Sequence, residues 1–276
     1  MLPIYVLNLD RAADRRARIG AALRALGLDW ERVAAPDRLA IPLSEIERSF
    51  GRRAGTGPFP ATPGDMACSL GHRLIWQKIA GRPEAGGVVL EDDARLAPGF
   101  AAFAAGSTIA LMEAHGIGVL KIEYWPGPQM SRRFPLGTEL APGPGGSRIY
   151  RLRSGFLGSC GYVMTRRAAE AALANSRRMR VPADHFLFGR AAGRGFDALG
   201  PGFANPAPVL HDLETFASDI AAERPEPAPG PGRRLRDWRV RRQEAGEIRA
   251  GRAARVRMRF AGEDPSDGPD RDGGAG

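Results

Sequence analysis

Val88-Val89-Leu90-Glu91-Asp92-Asp93 reads as a short buried strand that runs straight into three carboxylates. Upstream, Ile4-Tyr5-Val6-Leu7-Asn8-Leu9 reads as a mostly apolar first strand. Ile19, Ala22, Leu23 and Leu26 follow at helical spacing, with Gly27 as the C-cap, and residues 28–33 form a second extended segment. Thr62-Pro63-Gly64-Asp65 is a helix start: threonine at the N-cap, proline in the first turn and a carboxylate three residues on. Met66, Leu70, Leu74, Ile75 and Ile79 are expected to form its apolar face. Strands alternating with helices of these lengths predict an α/β fold with a mixed, mostly parallel central sheet flanked by helices. Ligands gather at the carboxyl ends of the strands in such sheets. Both Asn8-Leu9-Asp10-Arg11 and Glu91-Asp92-Asp93 occupy that position.

Beyond the acidic triplet, a helix is expected over residues 100–114, a strand over 119–124 and a Pro/Gly-rich excursion over 126–146. Another strand (156–165), a helix (166–175) and a helix opened by Pro182-Ala183-Asp184-His185 complete the pattern. Residues 52–60 read as an exposed loop, and residues 225–231, where proline alternates with other residues, as a linker. The expected organisation is a catalytic domain over 1–224, a Pro-rich linker and Arg-rich tail over 225–262, and a disordered end over 263–276.

The 276 residues suffice for one substantial core; hydrophobic residues make up 43% and charged residues 26%. No apolar run is long enough for a transmembrane helix. The first six residues enter structure at once and do not read as a signal peptide. Two cysteines, Cys68 and Cys160, are too few for a disulfide framework and read as buried free thiols, in keeping with a cytoplasmic protein. The net charge of +9 is uneven: residues 233–259 carry eleven arginines against three acids. A basic nucleic-acid-binding protein is one reading of that excess. Against it, the charge falls outside the expected catalytic body, and no helix-turn-helix or zinc-ligand pattern accompanies it. The second reading is peripheral contact with an anionic inner membrane face, with Leu235, Trp238 and Val240 as shallow anchors.

Three adjacent carboxylates are electrostatically costly unless something positive sits among them. A hard divalent cation shared with a substrate's phosphates would settle that cost; the alternative is a solvated loop capping the next helix. Asn8, Asp10, Arg11 and Arg15 could fork onto phosphate or a base edge, or form a solvated first helical turn. His72 lies on the helix that begins at Thr62, and a lone helical histidine is usually structural. Asp184 either caps its helix or takes a proton from an attacking hydroxyl. His211-Asp212 reads as a surface pair before a late metal ligand. A Mg²⁺-dependent phosphohydrolase would also place carboxylates after a strand.

Together these pieces resemble glycosyltransferase family 25, the lipooligosaccharide and collagen galactosyltransferase group. The likeness rests on Asn8-Leu9-Asp10-Arg11 with Arg15, on Gly64-Asp65-Met66-Ala67-Cys68-Ser69-Leu70-Gly71-His72, and on the strand ending in Glu91-Asp92-Asp93. Gly158-Ser159-Cys160-Gly161-Tyr162, Pro182-Ala183-Asp184 and a late Ser218-Asp219-Ile220 with Arg224 follow in order. Asp65 stands where the family pattern has glutamate, and Ala67 and Gly71 where it has glycine and serine. The resemblance implies a GT-A-like nucleotide-sugar-binding fold, a UDP-sugar donor, Mn²⁺ (or Mg²⁺), and inverting transfer to a glycan or lipid-linked glycan acceptor in surface-polysaccharide assembly. It casts Asp93 with Glu91 as metal ligands and Asn8, Asp10, Arg11, Arg15, His72, Glu91 and Asp92 as donor-binding residues. Asp184 is the expected general base, with Asp65 as its competitor.

Overall fold

The computed structural model describes residues 1–50, 59–125, 133–177, 179–212 and 231–263. The expected 225–231 linker, the Ser218-Asp219-Ile220 and Arg224 motif, the end of the chain after 263 and most of the 52–60 loop lie outside the described residues, 59, 60, 231 and 263 apart.

The strands are β1 (Ile4–Asn8), β2 (Glu31–Ala34), β3 (Gly86–Glu91), β4 (Ala94–Leu96), β5 (Val119–Lys121), β6 (Glu123–Tyr124), β7 (Leu136–Pro142), β8 (Arg148–Leu152), β9 (Gly161–Thr165), β10 (Gly202–Asn205), β11 (Val209–His211) and β12 (Ala254–Arg255). The α-helices are α1 (Ala13–Ala25), α2 (Leu43–Ser49), α3 (Pro63–Ala80), α4 (Gly106–Ala114), α5 (Arg166–Asn175), α6 (Ala183–Phe188), α7 (Arg194–Leu199) and α8 (Pro231–Arg249). Nine strands form one sheet in the order β12-β7-β8-β10-β5-β9-β3-β1-β2; β4, β11 and β6 form a small second sheet.

This is the α/β architecture with a large mixed sheet flanked by helices that a GT-A-like fold requires. The parallel share is smaller than expected. β1 runs parallel to β2 and β3, and β10 to β5, whereas β9 is antiparallel to both its neighbours and β7, β8, β10 and β12 form an antiparallel wing. The parallel strands are joined through helices, while β7 and β8 lie close in sequence and need only a short turn. The 126–146 excursion therefore contains β7.

Alternation along the central strands divides the core in two. Tyr5, Leu7, Val89, Tyr162 and Met164 face one side, where α3 contributes Ile75, Trp76 and Ile79 and α5 contributes Ala168, Ala169 and Ala172. Ile4, Val6, Val88, Leu90 and Val163 face the other, against Ile19 and Leu23 of α1, Phe100 and Phe103, and Ile109 and Met112 of α4. The inward face of α3 is rotated from the expected one. Leu74 is exposed, while Asp65, Ser69, His72 and Trp76 turn inward with Met66, Ile75 and Ile79. Polar residues that build the site displace apolar ones from the buried stripe.

The Arg-rich segment also departs from a simple tail. After α8 the chain returns to the body: β12 pairs with β7, and the Ala207 N–H donates to Arg259 O at 2.9 Å. Met258 and Phe260 are buried. Two large apolar side chains leaving water supply the reason, each contributing roughly 2 kcal/mol. No described helix is long and apolar enough to cross a membrane.

Candidate active site

The carboxyl ends of β1, β2 and β3 and the amino end of α3 meet at one open cavity of about 310 Å³. Arg11, Arg15, Asp37, Asp65, Glu91, Asp92, Asp93, Trp125, Asp184 and His211 line it. The expected residues Arg11, Arg15, Asp65, Glu91, Asp92, Asp93 and Asp184 thus come together. Asn8 and His72 stand behind the wall, fully or almost fully buried. Asp10 lies at the surface beside Arg32 and is not among the residues that line this cavity.

The acidic triplet divides into three separate hydrogen-bonded sites, because each carboxylate meets a different element. Glu91 ends β3, and its Oε1 accepts from Ser159 Oγ at 2.7 Å and faces His72 Nε2 at 3.2 Å. His72 Nδ1 lies 3.0 Å from Tyr162 Oη, which accepts from Trp76 Nε1 at 2.9 Å. A carboxylate only accepts, so in the neutral ring the proton is assigned to Nε2, toward Glu91, which leaves Nδ1 to accept from the phenol. The histidine is therefore structural support for Glu91.

Asp92 turns toward β1 and α1. Its Oδ2 accepts from Asn8 Nδ2 at 2.7 Å, and its Oδ1 lies 3.2 Å from Arg15 Nε. Both Asn8 amide protons are committed, the second to Ala12 O at 2.9 Å, while Arg32 Nε donates to Asn8 Oδ1 at 2.9 Å. Burial, reinforced by the neighbouring Asp93 and Glu91, raises the Asp92 pKa to about 6 against the opposing pull of Asn8 and Arg15.

Asp93 turns toward β11. Its Oδ2 lies 3.1 Å from His211 Nε2, and Cys160 Sγ donates to its Oδ1 at 3.4 Å. Burial opposes ionisation, but His211, the thiol and Arg15 hold the Asp93 pKa below the usual carboxylate range. His211 Nδ1 faces Glu123 Oε1 at 3.7 Å. Burial disfavours the imidazolium, yet Asp93 and Glu123 raise its pKa well above the ordinary value. Glu123 is itself fully buried and bonded to Lys121 Nζ at 2.8 Å; against burial, Lys121 and His211 pull its pKa down to about 2. His211 is therefore a central site residue and not a surface one. Asp212 is buried too, bonded to Arg18 and, through its N–H, to Asp93 O at 3.2 Å.

Asp184 also lines the cavity, from the first turn of α6. Its Oδ2 accepts from Gly158 N at 3.2 Å and its Oδ1 from His185 N at 2.8 Å. Asp65 caps α3: its Oδ2 accepts from Thr62 N and Thr62 Oγ1, both at 3.0 Å, while its own N–H donates to Thr62 Oγ1 at 3.1 Å. This is the reciprocal capping box that the sequence predicts, with aspartate in place of glutamate.

Two groups of side chains suit a cation. Cys68, His72 and Glu91 offer ligand atoms within 4.8 Å of one another. Both His72 nitrogens are already hydrogen-bonded, and burial with the surrounding carboxylates raises the Cys68 thiol pKa well above its usual value, which opposes ligation. Asp93 and His211 form the second group, at the cavity itself, and His211 ligates only after losing the proton that Asp93 and Glu123 hold on it. The facing atoms of Asp93 and His211 stand 3.1 Å apart, and Glu123 behind Nδ1 supplies the carboxylate that commonly orients a metal-binding imidazole.

Four contributors escape the sequence reading, Asp37, the Lys121–Glu123 pair and Trp76, while Tyr162 enters it only as the end of the Gly158–Tyr162 motif. Asp37 lies just past β2 and accepts from Arg11 Nε at 2.9 Å. Its position at a strand's carboxyl end was the available signal. Lys121 and Glu123, opposite charges two residues apart in an apolar strand, are the pattern of a buried pair on one face.

Residues 1–187 match the family model described as "Glycosyltransferase family 25 (LPS biosynthesis protein)". A protein from Anopheles gambiae named "Glycosyltransferase 25 family member" is 30% identical over 192 residues, 67% of this chain and 31% of that protein. The human "Procollagen galactosyltransferase 2" is 32% identical over 97 residues, 33% of this chain and 16% of its own length. The human "Inactive glycosyltransferase 25 family member 3" is 32% identical over 103 residues, 35% of this chain and 17% of its own. The chain thus spans under a third of the length of these curated relatives. With its match covering more than half of the sequence and its motif residues gathered around one cleft, the chain belongs to glycosyltransferase family 25.

Proposed function

We propose that the chain transfers a hexose, galactose or glucose, from a UDP-sugar to a glycan or lipid-linked glycan in surface-polysaccharide assembly, with inversion and with Mn²⁺ or Mg²⁺. The observation that carries this reading is the placement of Asp93 with His211 and Glu91 on one wall of the cavity and Asp184 on another. Asp93 would hold the cation with His211, through Nε2 once its proton has left, and Glu91 would join them on releasing its bond to Ser159. Bound there, the cation would neutralise charge building on the diphosphate leaving group.

Arg11 and Arg15 bring positive charge to the cleft where the diphosphate lies, with Arg15 also stabilising Asp92. Asp184 takes the proton from the acceptor hydroxyl as that oxygen attacks the anomeric carbon; the sugar–phosphate bond breaks and UDP leaves with the electron pair. Asp65, whose Oδ2 caps α3 through Thr62, is the competing base. We place the enzyme on the cytoplasmic membrane face, with exposed Leu235 and Trp238 of α8 as anchors and Arg242 stacked 5.3 Å from the Trp238 ring.

Radiolabelled UDP-galactose, UDP-glucose and UDP-xylose, assayed with a glycan acceptor panel under metal titration, test the proposal. Metal-dependent transfer from at least one donor is expected. Donor binding with no turnover under any condition would instead align the chain with its relative named inactive.

A further inference from the structure

Lys121, one of only two lysines in the chain, has no exposed surface. Its Nζ donates to Glu123 Oε2 at 2.8 Å and to Gly158 O at 2.7 Å, and lies 4.9 Å from the ring centroids of both Phe156 and Phe188. A buried ammonium is costly, and a well-packed apolar pair is often the more stable choice. Two acceptors and two ring faces offset part of that cost.

Each partner leads to the cleft. Gly158, whose carbonyl Lys121 binds, donates its N–H to Asp184 Oδ2 at 3.2 Å. Phe188 closes α6, the helix that carries Asp184, and its carbonyl accepts the Phe156 N–H at 3.0 Å. Glu123 accepts the Cys160 N–H at 2.9 Å and faces His211, whose other nitrogen meets Asp93. The chain between the two walls, residues 156–160, is thus tied to Lys121 at Phe156 and Gly158 and to its ion-pair partner at Cys160.

We infer that Lys121 is a positioning residue that sets the placement of the Asp184 wall against the Asp93–His211 wall by clamping residues 156–160 between them. The inference rests on the glycosyl-transfer reading of the site. Glu123 and Lys121 are needed together for geometry, not for charge at the reacting atoms. A shift of about 1 Å between the walls lowers turnover on the order of 100-fold.

The test uses the full chain carrying Lys121→Met with Glu123→Gln, which removes both buried charges at once, beside Lys121→Met alone. The double variant is expected to fold cooperatively, to keep its donor KM within about threefold and to lose kcat about 100-fold. The single variant, which strands a buried carboxylate, is expected to be less stable than the double. Hydrogen exchange at the Phe156, Gly158 and Cys160 amides should quicken in the double variant relative to wild type. Wild-type kcat in a folded double variant, or unchanged exchange at these amides, would overturn the inference. If wild-type protein transfers no sugar from any donor, the glycosyl-transfer reading fails by itself, and the exchange measurement still decides whether Lys121 holds the segment.

Discussion

Replacing Tyr162 by phenylalanine removes one oxygen from a buried relay and leaves two partners stranded. Trp76 Nε1 loses its acceptor at 2.9 Å, and His72 Nδ1 loses the hydroxyl at 3.0 Å. Tyr162, Trp76 and His72 have no exposed surface, so solvent does not replace the lost bonds. A buried polar group without a partner costs about 1–3 kcal/mol, so Tyr162→Phe is expected to lose about 2–4 kcal/mol. Urea unfolding followed by fluorescence measures it as a lower midpoint at unchanged slope. The double variant Trp76→Phe, Tyr162→Phe removes the stranded indole N–H together with its acceptor. Its cost should therefore fall short of the sum of the singles by about 1 kcal/mol. A loss below about 0.5 kcal/mol for Tyr162→Phe, or strict additivity, would refute the relay as a source of stability.

Gly158→Ala should cost about 3 kcal/mol or prevent folding, as seen by thermal unfolding. The backbone there has φ +110°, and an added Cβ would lie 2.4 Å from Glu123 Oε1. The depressed Glu123 pKa, about 2, lies below the unfolded value, so its ionisation contributes stability above about pH 4.5 that is lost as pH falls toward 2. Stability measured across that window should fall less steeply in the Lys121→Met, Glu123→Gln protein than in wild type. Truncation after residue 224 removes β12, Met258 and Phe260 and should lower stability by several kcal/mol, about 2 for each buried side chain. An unchanged melting temperature would show that the C-terminal segment adds nothing to the fold. Liposome binding is therefore tested in the full chain with Trp238→Ser and Leu235→Ser, which should weaken co-sedimentation with anionic vesicles.

Local chemistry made several elements legible. The Thr62–Asp65 capping box, the helix over Arg166–Asn175, and Gly27 at φ +68° just past α1 all follow from neighbouring residues. The antiparallel wing was obscured because β7 runs through Gly137 and Pro142, residues that weaken any strand pattern. The two added strand pairings beside it join segments far apart in sequence. The same distance hid part of the site: Asp93 meets His211 across 118 positions, and nothing near His211 marks that contact. The division of labour within Glu91-Asp92-Asp93 depends on where α1, α3 and β11 fall in space, which three adjacent acids cannot encode. Trp76 and Tyr162 look like ordinary core aromatics until their polar ends are placed beside His72.

The most direct measurement is sugar transfer from radiolabelled UDP-sugar by wild-type, Asp93→Ala and Asp184→Asn proteins under metal titration. The account expects wild-type turnover that rises with Mn²⁺ or Mg²⁺ and is lost on chelation. It also expects a loss of at least about 100-fold in kcat for Asp93→Ala and for Asp184→Asn, with each variant still folded. Full turnover by Asp93→Ala, or wild-type transfer indifferent to chelator, would contradict the metal-holding role of the acidic triplet. Full turnover by Asp184→Asn would contradict its role as the base.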